Sequence, residues 1–183
     1  MARLIPVRFL FAAVAVAGWL AVCSCVNIPT TYAPPIQRKP ILGPEVGDIG
    51  HFIAMSDARA PAHIVRDISE AVEGGSWRWT RQYPTLRFVL PTTKNLSLVM
   101  DFSISNETFV LTGPIVISWW VNGRLLDKVR YDSPGEKHFQ KPVDASWLKA
   151  GADTVVTAEL DKVWVAPDGA KLGIILTRGG FQQ

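Results

Sequence analysis

From about residue 51 onward, apolar and polar residues alternate with a period of two, a pattern that suits strands and not helices. The clearest run is NLSLVMDFSIS, where Leu96, Leu98, Met100, Phe102 and Ile104 alternate with Ser97, Val99, Asp101 and Ser103. Successive side chains of an extended strand point to opposite faces, so this segment has one apolar face to bury. LRFVLP repeats the pattern with Leu86, Phe88 and Leu90. PIVISWWVNGRLLDKVRY has an apolar run, then Asn122-Gly123, then a second run rich in branched residues. Asn-Gly supplies the positive φ angles of a type I′ turn and so predicts a hairpin. ADTVVTAELDKVWV and AKLGIILTRGGF read as two further strands, joined through Pro167-Asp168-Gly169. Helical periodicity is weak, with one turn expected at Ala145 to Leu148 under an Asp144 cap. Seven to nine short strands punctuated by Gly, Pro and Asn predict an all-β antiparallel sandwich over residues 51–183.

The first fifty residues differ in kind. Arg3 and Arg8 precede an uncharged apolar run from Phe9 to Val22. That run is shorter than the roughly 20 residues of a spanning helix. It reads as a secretory signal over residues 1–24, with an uncleaved signal anchor as the alternative. VCSC, Val22 to Cys25, resembles the bacterial lipobox: an aliphatic residue three before Cys25 and a small serine just before it. The resemblance makes Cys25 the lipidation site. A box ending at Cys23 would put bulky Val22 at the cleavage position, and a Cys23–Cys25 bridge is the other reading of the pair. Lipidation implies export and anchoring in the cell envelope, with the membrane as a partner through the N-terminal lipid. Val26 is not the aspartate that retains lipoproteins in the inner membrane of some enteric bacteria, which favours the outer membrane in a diderm host. Residues 25–50 hold Pro29, Pro34, Pro35, Pro40 and Pro44 and read as an extended tether.

Composition removes several classes of function. No cysteine follows Cys25, so the folded part can hold no disulfide and has no thiol nucleophile. Losing Arg3 and Arg8 leaves 17 basic against 16 acidic residues, and without a basic cluster no nucleic-acid partner is expected. His51, His63 and His138 are not spaced as metal ligands, so neither a metal nor a cofactor is expected. No G-x-S-x-G elbow or glycine-rich phosphate loop occurs. Glu70, Glu73, Asp101, Glu159 and Asp161 could serve a glycosidase by residue type alone and read as solvated surface. No catalytic residue is assigned, and the chain reads as a non-enzyme.

VNGRLL followed by KHFQKPVDASWLKAGADTVVTAELDKVWV resembles the galactose-binding-like jelly rolls found as carbohydrate-binding modules and as accessory domains of glycosidases. EGGSWRWT before LRFVLP, and the late KLGIILTRGGF, are similar to small modules that accompany envelope glycosyltransferases and related lipoproteins. The resemblance spans about residues 60 to 181. It implies a jelly-roll sandwich and a glycan ligand. One departure is that Asp168-Gly169-Ala170-Lys171 stands where related modules often carry an acidic residue and an arginine. A structural calcium is common in such jelly rolls, but no clear cluster of acidic ligands argues for one here.

Tryptophan, arginine, amide and carboxylate together suit a sugar, whose C–H faces stack on indole while its hydroxyls seek polar partners. Trp77 and Trp79 share one strand face and Arg78 takes the other. An unpaired buried guanidinium is costly, so Arg78 is expected to face water and Trp79 the core, with Trp77 at a rim. Trp119 shares its face with Ile115, Ile117 and Val121 and is expected in the core. Trp120 then points outward, either exposed or covered by a loop or the tether, and Trp147 anchors the segment before Lys149. Trp77, Arg78, Trp120 and Glu73 are the candidate ligand contacts. The alternative to a carbohydrate-binding module is a scaffold or accessory protein of an envelope synthesis or export complex, whose exposed aromatics meet a protein partner.

Overall fold

The computed structural model describes residues 49–183; the signal segment, Cys25 and nearly all of the tether lie outside the described residues. Eleven strands follow in order: β1 (Phe52–Ala54), β2 (Ile64–Ile68), β3 (Arg78–Val89), β4 (Ser97–Ile104), β5 (Ile115–Val121), β6 (Arg124–Tyr131), β7 (Gly135–Pro142), β8 (Asp153–Leu160), β9 (Trp164–Val165), β10 (Lys171–Leu172) and β11 (Ile175–Gln182). Two short helices interrupt them, α1 (Ala60–His63) and α2 (Asn106–Thr112), with a 3-10 turn at Ala145–Trp147.

All pairings are antiparallel, and hydrogen bonding runs β6-β5-β8-β3-β11-β4-β7, with β1 added on β11 and β2 on β3. The ribbon folds into two layers, β2-β3-β8-β5-β6 and β1-β11-β4-β7. They join where Arg78 and Trp79 at the start of β3 pair with Leu176 and Ile175 of β11. This is an all-β jelly-roll sandwich: the alternation predicts the sandwich, and the resemblance implies the jelly roll.

Aromatic contacts between the layers define the core. Trp119 of β5 stacks on Phe139 of β7 with ring centroids 4.6 Å apart and tilts against Phe102 of β4 at 5.7 Å. Phe88 of β3 meets Phe181 of β11 edge to face at 5.8 Å. Leu86, Phe88 and Leu90, and Leu96 through Ile104 at alternate positions, are all buried as the pattern requires. Asn122 and Gly123 take φ of 50° and 76°, the left-handed pair that the tight β5–β6 turn needs. Asp144 caps the 3-10 turn by accepting from Ser146 N at 2.8 Å.

The two late segments are not continuous strands. Each breaks, and their inner ends form the separate β9–β10 hairpin. The break on the β11 side comes at Gly173, whose N–H donates to Thr80 O at 2.8 Å. A side chain there would place its Cβ 2.5 Å from the Arg81 carbonyl oxygen, so only glycine lets this connection lie directly on β3. α2 breaks the alternation with NETFVLT, a segment without a helical apolar stripe.

Two substitutions test this packing. Phe139→Ala removes the stacking partner of Trp119 and is expected to cost about 3–5 kcal/mol in urea unfolding. Gly173→Ala is expected to lower the unfolding midpoint despite adding only a methyl group, because backbone must move to admit it.

Candidate functional site

The outward direction of the tryptophans is set by Arg78. Its residue surface is only 3% exposed. Its Nε donates to Met55 O at 2.9 Å, and its Nη1 donates to Ser69 O at 3.1 Å and to Glu70 O. The expectation that Arg78 faces water and Trp79 the core is therefore reversed. The cost of burial falls on an unpaired guanidinium, whereas this one is paired with three backbone carbonyls rather than with Glu73 or Asp101. Burial pushes its pKa below the ordinary arginine value, and the Glu70 carboxylate partly offsets that.

With Arg78 inward, Trp77 and Trp79 both point out and are half-buried. Their rings meet edge to face, 5.7 Å apart at 89°. A tight hairpin delivers Trp77: Glu73 N–H donates to Trp77 O at 2.8 Å, and Trp77 N–H donates to Glu73 O at 3.2 Å. Gly74 turns this hairpin at φ of 53°, and a Cβ there would lie 3.0 Å from Trp77 Nε1, so the indole lies against the bare glycine.

Trp77 closes one side of a groove of about 680 Å³ on the outer face of β7, β4 and β11. Antiparallel register places two rows of outward side chains across it. One row is His138–Asp101–Arg178, and the other is Glu136–Ser103–Ile175, which continues to Trp79 on β3. In the first row Asp101 is held from both sides. Its Oδ1 accepts from His138 Nδ1 at 2.5 Å and its Oδ2 accepts from Arg178 Nε. Thr177 Oγ1 donates to the Asp101 carbonyl at 2.8 Å. The Asp101 side chain is 16% exposed, against 56% for His138 and 59% for Arg178. The carboxylate thus lies at the groove floor, and the Arg178 guanidinium presents its remaining edge to solvent.

Burial pushes the Asp101 carboxyl upward, but the hydrogen bonds from His138 and Arg178 outweigh it and hold the group below the usual carboxylate range. The bond to Asp101, aided by Gln140, raises His138 above its ordinary 6.5. The His138 Nε2 lies 3.4 Å from Gln140 Oε1, so the Asp101–His138 pair is not aimed at a hydroxyl nucleophile. Among the described residues no three His, Asp or Glu side chains gather to hold a metal ion. The groove offers an aromatic face, fixed donors and fixed acceptors.

The four candidate contacts do not form one site. Trp77 is in the groove. Arg78 lies behind it, in the interior. Glu73 is exposed at the base of the Trp77 hairpin. Trp120 is on the outer face of the other layer, where its Nε1 donates to Glu159 Oε2 at 3.1 Å. Trp119 is fully buried as expected, and Trp147 is half-buried beneath the Arg124 guanidinium. His138 and Arg178 were not legible as contacts, and Asp101 read as plain surface. Alternation does put Asp101 outward on β4, but the register that joins it to β7 and β11 has no local signal.

An all-β sandwich with an aromatic groove on one sheet face is thus defined. No family model matches the sequence, and no curated protein does. Among solved structures, the chain is similar to a family 35 carbohydrate-binding module from Clostridium thermocellum, with 14% identity and a TM-score of 0.44 over 67% of this chain and 92% of that one. It is also similar to a family 35 module from an environmental isolate, with 10% identity and a TM-score of 0.46 over 72% and 92%. A third is an acetyl xylan esterase from Butyrivibrio proteoclasticus, with 11% identity and a TM-score of 0.42. There the match spans 74% of this chain and 34% of the esterase.

The clamp predicts a pH signature. His138, with a raised pKa, contributes stability that is fully present below pH 6.5 and lost as pH rises through its folded-state pKa. Asp101, with a depressed pKa, contributes stability that is present above its unfolded pKa and lost as pH falls through its folded value. NMR titration of the His138 ring should give a pKa above 6.5, and Asp101→Asn should lower it.

Proposed function

We propose that the protein is a lipoprotein of the bacterial cell envelope whose β-sandwich binds carbohydrate along the Trp77 groove without catalysis. The observation that carries this reading is a half-exposed indole beside a row of fixed polar groups on one rigid sheet face. A pyranose has C–H faces that stack on indole and hydroxyls that both donate and accept. Trp77 supplies the platform, Arg178 donates, and Glu136 and Ser103 accept. Arg78 contributes indirectly by holding Trp77 outward, and Glu73 through the hairpin that carries it. Trp120 would serve only a separate surface on the opposite face. For the membrane, the support is in the sequence: the VCSC box makes Cys25 the acylated residue, and the proline-rich segment after it suits a tether. In a diderm host the outer membrane is the favoured location.

Full-length protein in a detergent without a sugar headgroup, screened on an array that includes bacterial envelope polysaccharides, tests the binding. Trp77→Ala is expected to weaken binding at least about tenfold while far-UV circular dichroism is unchanged. Loss confined to Trp120→Ala would move the site to the other face, and a negative array with folded protein would overturn the reading. Cys25→Ala is expected to remove the acyl mass and release the protein from membranes.

A second reading, a scaffold or accessory protein of an envelope complex, is favoured by one observation. Val110 and Leu111 are 73% and 66% exposed on α2, a helix that lies next to β9, where Val165 is 55% exposed. A negative array together with crosslinking of Val110 to an envelope protein would carry it.

A further inference from the structure

Beyond the Trp77 groove lies a second one of about 450 Å³, with Trp79, Arg81, Glu70, Lys171 and Leu172 in its lining. Its walls are the start of β3, the end of β2 and the β9–β10 hairpin, which the Gly173 connection holds against β3. Trp79 contributes an outward, half-buried indole. Glu70, Arg81 and Lys171 are exposed, and none forms an ion pair among the described residues. Asp67 also lines the groove, but its Oδ2 already accepts from Tyr83 N at 3.0 Å.

The two grooves abut. Ile175, in the first, is directly opposite Trp79, in the second, and on its other side it is opposite Ser103. Residues directly opposite across antiparallel strands share a face, so Ser103, Ile175 and Trp79 form one unbroken row. The edge-to-face Trp77–Trp79 pair is the shared wall, with one ring serving each side.

We infer that the Trp79 groove is a second sugar subsite continuous with the first, so that the ligand is an extended oligosaccharide and not a single sugar; this rests on the carbohydrate reading above. The chemistry of the second groove fits such a ligand. One carboxylate and two cationic groups face an aromatic ring, and hydroxyls pair with both signs because they donate and accept. A purely structural Trp79, packed only to seat the β9–β10 hairpin, would leave affinity independent of chain length and of Arg81 and Lys171.

The test titrates full-length protein, by intrinsic tryptophan fluorescence, with β-1,4-linked gluco-, manno- and galacto-oligosaccharides from monosaccharide to hexasaccharide. The expected result is affinity that rises about tenfold or more between monosaccharide and tetrasaccharide, as a second stacking contact would supply. The exposed pair Arg81→Ala and Lys171→Ala together should remove most of that gain and leave the monosaccharide affinity in place. Affinity that is flat with length, or a length gain untouched by the double variant, overturns the second subsite while leaving the first groove standing. If no oligosaccharide and no array glycan binds folded protein, the carbohydrate reading itself falls, and the second subsite with it.

Discussion

The buried guanidinium of Arg78 sets the direction of every side chain near the start of β3. It ties the strand to two other segments, at Met55 and at the adjacent Ser69 and Glu70, and it can do so only by pointing inward. Strand geometry then leaves no choice for its neighbours: Trp77 and Trp79 must face out. The same strand start pairs with β11 and so joins the two layers, which puts the tryptophans at the seam between them. The pairing that joins the layers and the bonds that turn the tryptophans outward thus meet at one strand start.

The polar half of the groove follows a related economy. Asp101 is a carboxylate on a sheet face, held by one side chain from each adjacent strand, an imidazole on β7 and a guanidinium on β11. A carboxylate so engaged orients the imidazole and the guanidinium while leaving the outer N–H groups of the guanidinium free. Because the three residues sit on strands and not on loops, their spacing is set by the sheet. The opposite face is organised differently. Trp120 there is fastened by Glu159.

Alternation located the core positions of β3, β4 and β5 and the Asn122-Gly123 turn, because those features are local. It also put Trp119 inward and Trp120 outward, since Ile115, Ile117 and Val121 share the Trp119 face. It failed at WRWT for a specific reason. The stretch has a large apolar residue on one face and an arginine on the other, and its parity depends on what the arginine can reach. Three backbone carbonyls decided it, and backbone carbonyls belonging to remote segments leave no trace in residue identity.

The amino-acid sequence alone determined that the chain after residue 51 is a two-faced β structure without disulfides, and where most of its strands and its tightest turn lie. Periodicity and turn chemistry act over a few residues and need no partner to be read. Only the tertiary structure decided that Asp101, His138 and Arg178 meet, that Trp77 and Trp120 lie on opposite sides, and that the Trp77 and Trp79 grooves adjoin. Those relations depend on strand order and register across separations of 98 residues from Arg78 to Leu176 and 77 from Asp101 to Arg178. Register is a property of the closed sheet as a whole, set by which faces must be buried together, and no single segment carries it.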